Sequence, residues 1–220
     1  MPVDLRVYAI VDPEHAGGRA LPELAKLLAA GGATLVQLRD KRSETRAMVD
    51  SARAIKAALA PFGVPLLVND RVDVALAAGA DGVHVGPTDM AAEDARRLLG
   101  PKAIIGSSIK SVAAAEATPI DLIDYAGIGG VYATASKDNP NPPIGVDGLR
   151  RIVEALRRRK PSFATCAIAG ITAANAGATI AAGADGVAVI SALSLASDPA
   201  AATKAMRAAV DEALAARQRS

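Results

Sequence analysis

A chain of 220 residues fits one large α/β domain, and its apolar fraction of 51% comes from Ala, Val, Leu and Ile, with 2% aromatic residues and no Trp. Ala-rich helices laid on Val- and Ile-rich strands are what a parallel sheet covered on its outer face requires. Lys plus Arg (25) nearly balance Asp plus Glu (23), so the net charge of +2 sets up no general field for nucleic acid or an anionic membrane, and any anion site must be local.

The chain begins Met1-Pro2-Val3-Asp4 and passes into a short apolar strand, without a basic n-region, an extended apolar stretch or a cleavage site. No apolar run approaches the roughly 18 residues of a membrane span, so a cytoplasmic protein is expected. Eight β-like runs follow in order, near Arg6 to Val11, Thr34 to Leu38, Pro65 to Asn69, Gly82 to Val85, Ala103 to Gly106, Asp124 to Ile128, Ala164 to Ile168 and Gly186 to Ile190. Most lead into an Ala-rich amphipathic segment. The spacing of about 27 residues per unit is that of βα units closing into a single (β/α)8 TIM barrel over residues 1–220, with a doubly wound open sheet as the alternative.

An internal repeat supports the barrel. Ala77-Ala78-Gly79-Ala80-Asp81-Gly82-Val83 returns as Ala181-Ala182-Gly183-Ala184-Asp185-Gly186-Val187, 104 residues later, or about four βα units. Each first Gly is expected to end a helix in a conformation that only Gly adopts cheaply, and each Asp-Gly pair to turn into the next strand. The single Cys166 reads as a buried small hydrophobe. The basic run Arg157 to Lys160 reads as a solvated helix C-terminus. The longest irregular segment, Ala133 to Gly145, follows the sixth strand, and a loop of that length is more often functional than accidental.

In such a barrel the site forms at the C-terminal strand ends, so the polar residues that terminate each apolar run are the ones to collect. The second strand ends in Gln37-Leu38-Arg39-Asp40-Lys41. Alternation puts Gln37 and Arg39 on one face with Lys41 just beyond, which suits a phosphate clamp, although a solvated strand end would also tolerate the cations. The third strand ends in Asn69-Asp70, and the fourth runs into His84-Val85-Gly86-Pro87-Thr88-Asp89. Asp70 and Asp89 can hold Mg2+ together with phosphate oxygens, or they can N-cap the helices expected at Arg71 and near Ala91. Ser107 and Ser108, ending the fifth strand, can cap a helix or face the site. Glycines 127, 129 and 130 allow close backbone approach, and Thr134, Ala135, Ser136 and Lys137 follow with two hydroxyls and an ammonium. Gly170 and the segment Ile190-Ser191 close the set at the strand seven and eight ends, where such barrels hold phosphate. His84 reads as packed or ring-stacked and His15 as solvated. No Cys/His cluster, nucleophile elbow or P-loop is present.

Taken in order, Gln37 to Lys41, Leu67 to Arg71, Gly79 to Gly86, Asp124-Tyr125 through Lys137, and Gly186 to Ser191 resemble the thiamine-phosphate synthase family over nearly the whole chain. The resemblance implies a TIM barrel that joins 4-amino-2-methyl-5-(diphosphooxymethyl)pyrimidine to a thiazole phosphate by a dissociative, Mg-assisted displacement, releasing pyrophosphate. It implies that Gln37, Arg39, Lys41, Asn69, Ser108 and Lys137 hold the pyrimidine diphosphate within a segment that includes Leu38 and Asp40. It implies one Mg2+ on Asp70 and Asp89, and a thiazole phosphate on Thr134, Ala135, Ser136, Gly170, Ile190 and Ser191. Arg39, Lys41, Lys137 and Ser108 are the residues expected to act in catalysis. The partners implied are these two small molecules, with no nucleic acid and no membrane; a homo-oligomer is compatible with the fold. Pro87 stands where the family pattern commonly has Gln, Gly130 where it has Pro, Ser136 where it has Thr, and Ala169 where it has Gly. Rival readings are a thiazole tautomerase relative, which carries a histidine in the segment where this chain has Lys110, a sugar-phosphate isomerase or epimerase, and a barrel that binds phosphate ligands without catalysis.

Overall fold

The computed structural model describes residues 3–136 and 142–219. Strands β1 (Val7–Val11), β2 (Leu35–Leu38), β3 (Leu66–Asn69), β4 (Gly82–Val85), β5 (Ile104–Ile109), β6 (Tyr125–Gly129), β7 (Ala164–Ile168) and β8 (Gly186–Val189) run parallel and close in chain order. The pairing of β1 with β8 rules out the open sheet. Helices α1 (Leu21–Ala30), α2 (Thr45–Leu59), α3 (Val72–Ala78), α4 (Ala92–Leu99), α5 (Val112–Ala117), α6 (Gly145–Arg159) and α7 (Ala173–Ala181) connect successive strands. The short α8 (Ser191–Ser194) and the long α9 (Pro199–Gln218) follow β8.

Alternation along each strand divides the side chains between two cores. Val7, Ala9, Val11, Val36, Leu38, Val83 and Val85 point outward and pack with Leu24, Leu28, Ile55, Leu149 and Leu156 of the helices. Tyr8, Ile10, Leu35, Leu67, Tyr125, Cys166 and Ala188 point inward and fill the barrel. This filled interior is why the active surface lies at the strand ends, not in a central channel.

The repeat has a structural purpose beyond its turns. Gly79 closes α3 at φ 65° and Gly183 follows α7 at φ 111°, as the sequence requires. Beyond the turn, the Asp81 carboxylate accepts the Leu66 N–H at 2.9 Å, and Asp185 accepts the Thr165 N–H at 3.0 Å. Asp124 accepts the Ile105 N–H at 2.7 Å, and Thr34 accepts the Val7 N–H through its hydroxyl at 3.2 Å. A polar residue just before each even-numbered strand thus clasps the first residues of the strand preceding it.

The eight strands lie close to their expected positions, with one consequential difference. β5 runs to Ile109 and not to Gly106, so Ser107 and Ser108 are strand residues, and it is Ser111 that caps α5 by accepting the Ala114 N–H at 3.1 Å. Of the basic run, Arg157 pairs with Asp185 and Arg159 donates to the Ala115 carbonyl, so part of it braces neighbouring elements. Among the described residues, no helix is long and apolar enough to cross a membrane.

Candidate active site

At the C-terminal end of β2 the alternation holds. Gln37 is buried and directs its amide nitrogen to the Tyr8 hydroxyl, and Arg39 reaches the carboxylate of Asp12 at the end of β1. Lys41, beyond the strand, pairs with Asp70 across the β2–β3 boundary. Leu38 and Asp40 serve the segment in other ways. Leu38 faces the helices, and Asp40 turns back to accept the N–H groups of Arg42 and Ser43 at 3.0 and 2.9 Å. Burial pushes the Asp40 carboxyl up, but the hydrogen bonds from Ser43 and Arg42 outweigh it and hold the group below its ordinary range.

Asp70 and Asp89 are not helix caps. The cap positions of α3 and α4 are Arg71 and Ala91, and neither makes a side-chain cap bond. Asp70 adopts φ 62°, with its N–H on the His84 carbonyl at 2.8 Å, which leaves the carboxylate projecting from the strand end. Asp89 folds back to accept the Gly86 N–H at 2.7 Å. Pro87 occupies the turn between them, a position that suits its constrained φ, so the departure at this residue shapes the loop that returns Asp89 to the strand. Burial raises the Asp70 carboxyl above its ordinary range; Lys41 opposes that and the neighbouring Asp89 adds to it.

Two carboxylates close enough for Asp89 to push Asp70 upward, beside one ammonium, fit a divalent cation, which would relieve the repulsion between them. Among the described residues no third His, Cys, Asp or Glu joins them. The remaining ligands would be phosphate oxygens and water, the usual arrangement for Mg2+.

On the other flank a cavity opens between the ends of β5, β6, β7 and β8. Ser108, Thr134, Ser136, Gly170, Ile190 and Ser191 all line it. Ser136 Oγ donates to Ser191 Oγ at 2.9 Å, bridging the loop after β6 to the start of α8. Gly170 sits at φ 65°, and a Cβ there would lie 2.5 Å from the Ala133 carbonyl oxygen and 2.7 Å from Tyr132 Cβ. Ala169 before it adopts φ 82°. The turn is held by Asn175, which donates to the Gly170 carbonyl at 2.9 Å and accepts the Thr172 N–H at 2.8 Å. Ala135 is exposed and offers backbone only. Lys137 lies outside the described residues.

The two flanks meet through β3 and β4. Asn69 faces His84 in register, and His84 Nε2 lies 2.9 Å from Ser108 Oγ. Three contributors escaped the strand-end search. Lys110 lines the cavity, and its alternation with Gly106 and Ser108 would have disclosed it had β5 been drawn long enough. Asp12 is 1% exposed and holds Arg39; its signal, an acid closing an apolar strand, was present. His15 is not fully solvated. It ends a short 3-10 turn (Pro13–His15) capped by Asp12, and its Nδ1 is buried 3.7 Å from Asp12 Oδ1, with no hydrogen-bond partner among the described residues.

The chain has counterparts among known proteins. A family model described as thiamine monophosphate synthase matches residues 7–193. The chain is 52% identical over 216 residues to the thiamine-phosphate synthase of Agrobacterium fabrum, covering 98% of each. It is 46% identical over 209 residues to that of Xanthobacter autotrophicus, covering 95% of this chain and 97% of the relative. A solved thiamine phosphate pyrophosphorylase from Pyrococcus furiosus superposes with a TM-score of 0.84 at 36% identity, covering 96% of this chain and 98% of that one.

Proposed function

Because the chain belongs to the thiamine monophosphate synthase family, we propose that this barrel is a thiamine-phosphate synthase, a transferase that joins 4-amino-2-methyl-5-(diphosphooxymethyl)pyrimidine to a thiazole phosphate and releases pyrophosphate. The observation that carries the reading is the two-sided mouth. Cations and paired acids occupy the β2–β4 end, a hydroxyl- and glycine-lined cavity occupies the β5–β8 end, and the His84–Ser108 contact joins them. An isomerase or epimerase acting on one sugar phosphate has no use for the second anion region.

The chemistry follows from the charges. The carbon–oxygen bond to the diphosphate breaks with its electron pair leaving on pyrophosphate, and the aminopyrimidine ring stabilises the cation left behind. The thiazole nitrogen then donates its lone pair to form the new carbon–nitrogen bond. Arg39, Lys41 and Lys137 would neutralise charge growing on the departing pyrophosphate, while Gln37, Asn69 and Ser108 would help hold the pyrimidine diphosphate. Mg2+ on Asp70 and Asp89 would supply Lewis-acid charge at the diphosphate oxygens. Thr134, Ser136, Gly170, Ile190 and Ser191 would hold the thiazole phosphate within reach, and no protein nucleophile takes part.

Pyrophosphate release by the purified protein with Mg2+ tests this directly. Release only when both substrates are present supports the synthase, as does its loss in Asp70→Ala with thermal unfolding otherwise intact. Thiazole isomerisation without release would indicate the tautomerase instead, and stabilisation by ligands without turnover a binding protein.

A further inference from the structure

The barrel interior holds a polar chain that the assigned groups do not explain. Tyr8, Gln37 and Tyr125 are at most 2% exposed and His84 is buried beside them. The Gln37 amide nitrogen meets the Tyr8 hydroxyl, and the Tyr8 and Tyr125 hydroxyls lie 2.9 Å apart. Tyr125 Oη lies 2.9 Å from His84 Nδ1, and His84 Nε2 lies 2.9 Å from Ser108 Oγ, at the edge of the cavity. Two glycines make room for the rings. A Cβ on Gly106 would sit 2.0 Å from Tyr125 Cζ, and one on Gly127 would lie 3.1 Å from His84 Cε1.

Counting protons gives the chain a direction. With the Gln37 amide turned nitrogen-first toward Tyr8, the orientation from which the count starts, the Tyr8 oxygen accepts at that end. Each phenol has one proton, and across the 2.9 Å gap either oxygen can be the donor. With the amide in that orientation, donation by Tyr125 to Tyr8 would leave the Tyr8 proton facing the Gln37 N–H and not an acceptor. With Tyr8 donating to Tyr125, each group between Gln37 and the cavity gives one hydrogen bond along the chain and takes one. Tyr125 then donates to His84 Nδ1, His84 Nε2–H donates to Ser108 Oγ, and the Ser108 proton is left for the cavity. Burial pushes both phenols upward and keeps them protonated, which the count requires.

We propose that Gln37, Tyr8, Tyr125 and His84 form a one-way hydrogen-bond relay that holds His84 in its Nε2–H tautomer and turns the Ser108 hydroxyl into a fixed donor toward an anionic ligand. Tyr8, Tyr125 and His84 are thereby positioning residues that act through Ser108. Aligned hydrogen bonds in a dry interior polarise one another, so the last donor is stronger than an isolated serine. The anion served is the diphosphate of the synthase reading, and only this assignment of the occupant rests on that reading.

Two measurements decide it. The chain has two histidines, so 15N-labelled imidazole spectra of the ligand-free protein, assigned with His15→Gln, report the His84 tautomer. A proton on Nε2 with bare Nδ1 at neutral pH is expected; a proton on Nδ1, or on both nitrogens, overturns the relay. In the complete reaction, Tyr125→Phe is expected to lower kcat about tenfold with KM for the pyrimidine diphosphate changed less than twofold. Adding Tyr125→Phe to Ser108→Ala should then cost nothing further, whereas a multiplicative loss in the double variant overturns the claim that Tyr125 acts through Ser108. The tautomer is read without substrates, so a wild-type protein that releases no pyrophosphate bears on the synthase reading and not on the relay.

Discussion

At Ala169 the backbone stands at φ 82°, where a Cβ is strained by roughly 1–2 kcal/mol, and Gly170 follows at φ 65°. The two positions answer to the same local demand with different residues. Ala169→Gly relieves the strain but adds freedom to the unfolded chain, so a net gain of up to about 1 kcal/mol is expected by urea denaturation. Gly170→Ala meets both the unfavourable φ and the Ala133 carbonyl oxygen, and a loss of at least ~2 kcal/mol is expected from the same titration. Asp12 is the other residue whose single contact carries a prediction: across the β1–β2 boundary it holds the Arg39 guanidinium. Asp12→Asn retains an oxygen for the Glu14 N–H but removes the charge that fixes the guanidinium. A fall in kcat/KM of about tenfold is expected, equivalent to ~1.4 kcal/mol.

Among the elements, the loop after β2 and the clasps between strands carry the predictions. Asp40 titrates below its ordinary value because the N–H groups of Ser43 and Arg42 favour its charged form. A depressed carboxyl stabilises the fold above its unfolded pKa of about 3.9 and loses that contribution as pH falls through its folded value. Asp40→Asn should therefore flatten the acid limb of stability below roughly pH 4, read from denaturant midpoints across pH. The clasps differ in their partners. Asp185 serves the Thr165 N–H, Arg157 and Arg217, while Asp81 serves the Leu66 N–H and Lys56. Asp185→Ala is expected to cost about 2 kcal/mol and Asp81→Ala about 1 kcal/mol, with an unchanged denaturant slope in each. The Asp-Gly dipeptides announced themselves in the sequence as turns; their grip on the preceding strand depends on which strand lies alongside, and only closure of the sheet supplies that neighbour.

For the whole molecule the decisive feature is the convergence of strand ends on one rim. Asp70 and Asp89 come from different βα units, and their mutual repulsion, added to burial, raises the Asp70 carboxyl. A raised carboxyl gives stability that is full below its unfolded pKa and is lost as pH rises through its folded value, because the native state holds the proton more tightly. A divalent cation bound by Asp70 and Asp89 would take the place of that proton. Mg2+ with inorganic pyrophosphate should therefore raise Tm at neutral pH, and the shift should fade as pH falls through the range where Asp70 protonates. Asp70→Asn should abolish the shift. An equal shift in that variant would place the cation elsewhere.

The order of strands and helices, the positions of Gln37, Arg39, Lys41, Asp70 and Asp89 at or just beyond the ends of β2, β3 and β4, and the glycines that end α3 and α7 were legible in the chain, because hydrophobic alternation and backbone permissiveness are local properties. The length of β5 was not, since Ser107 and Ser108 are poor strand formers that pair only because β4 and β6 flank them. With the true end of β5 hidden, Lys110 was read only as a departure from the tautomerase pattern and not as a residue lining the cavity. The roles of Asp12, Tyr8 and Tyr125 belong to the tertiary structure alone. A buried hydroxyl or carboxylate declares its function only through the partner it meets, and these partners, 27 to 117 residues away in sequence, become neighbours only when the barrel closes.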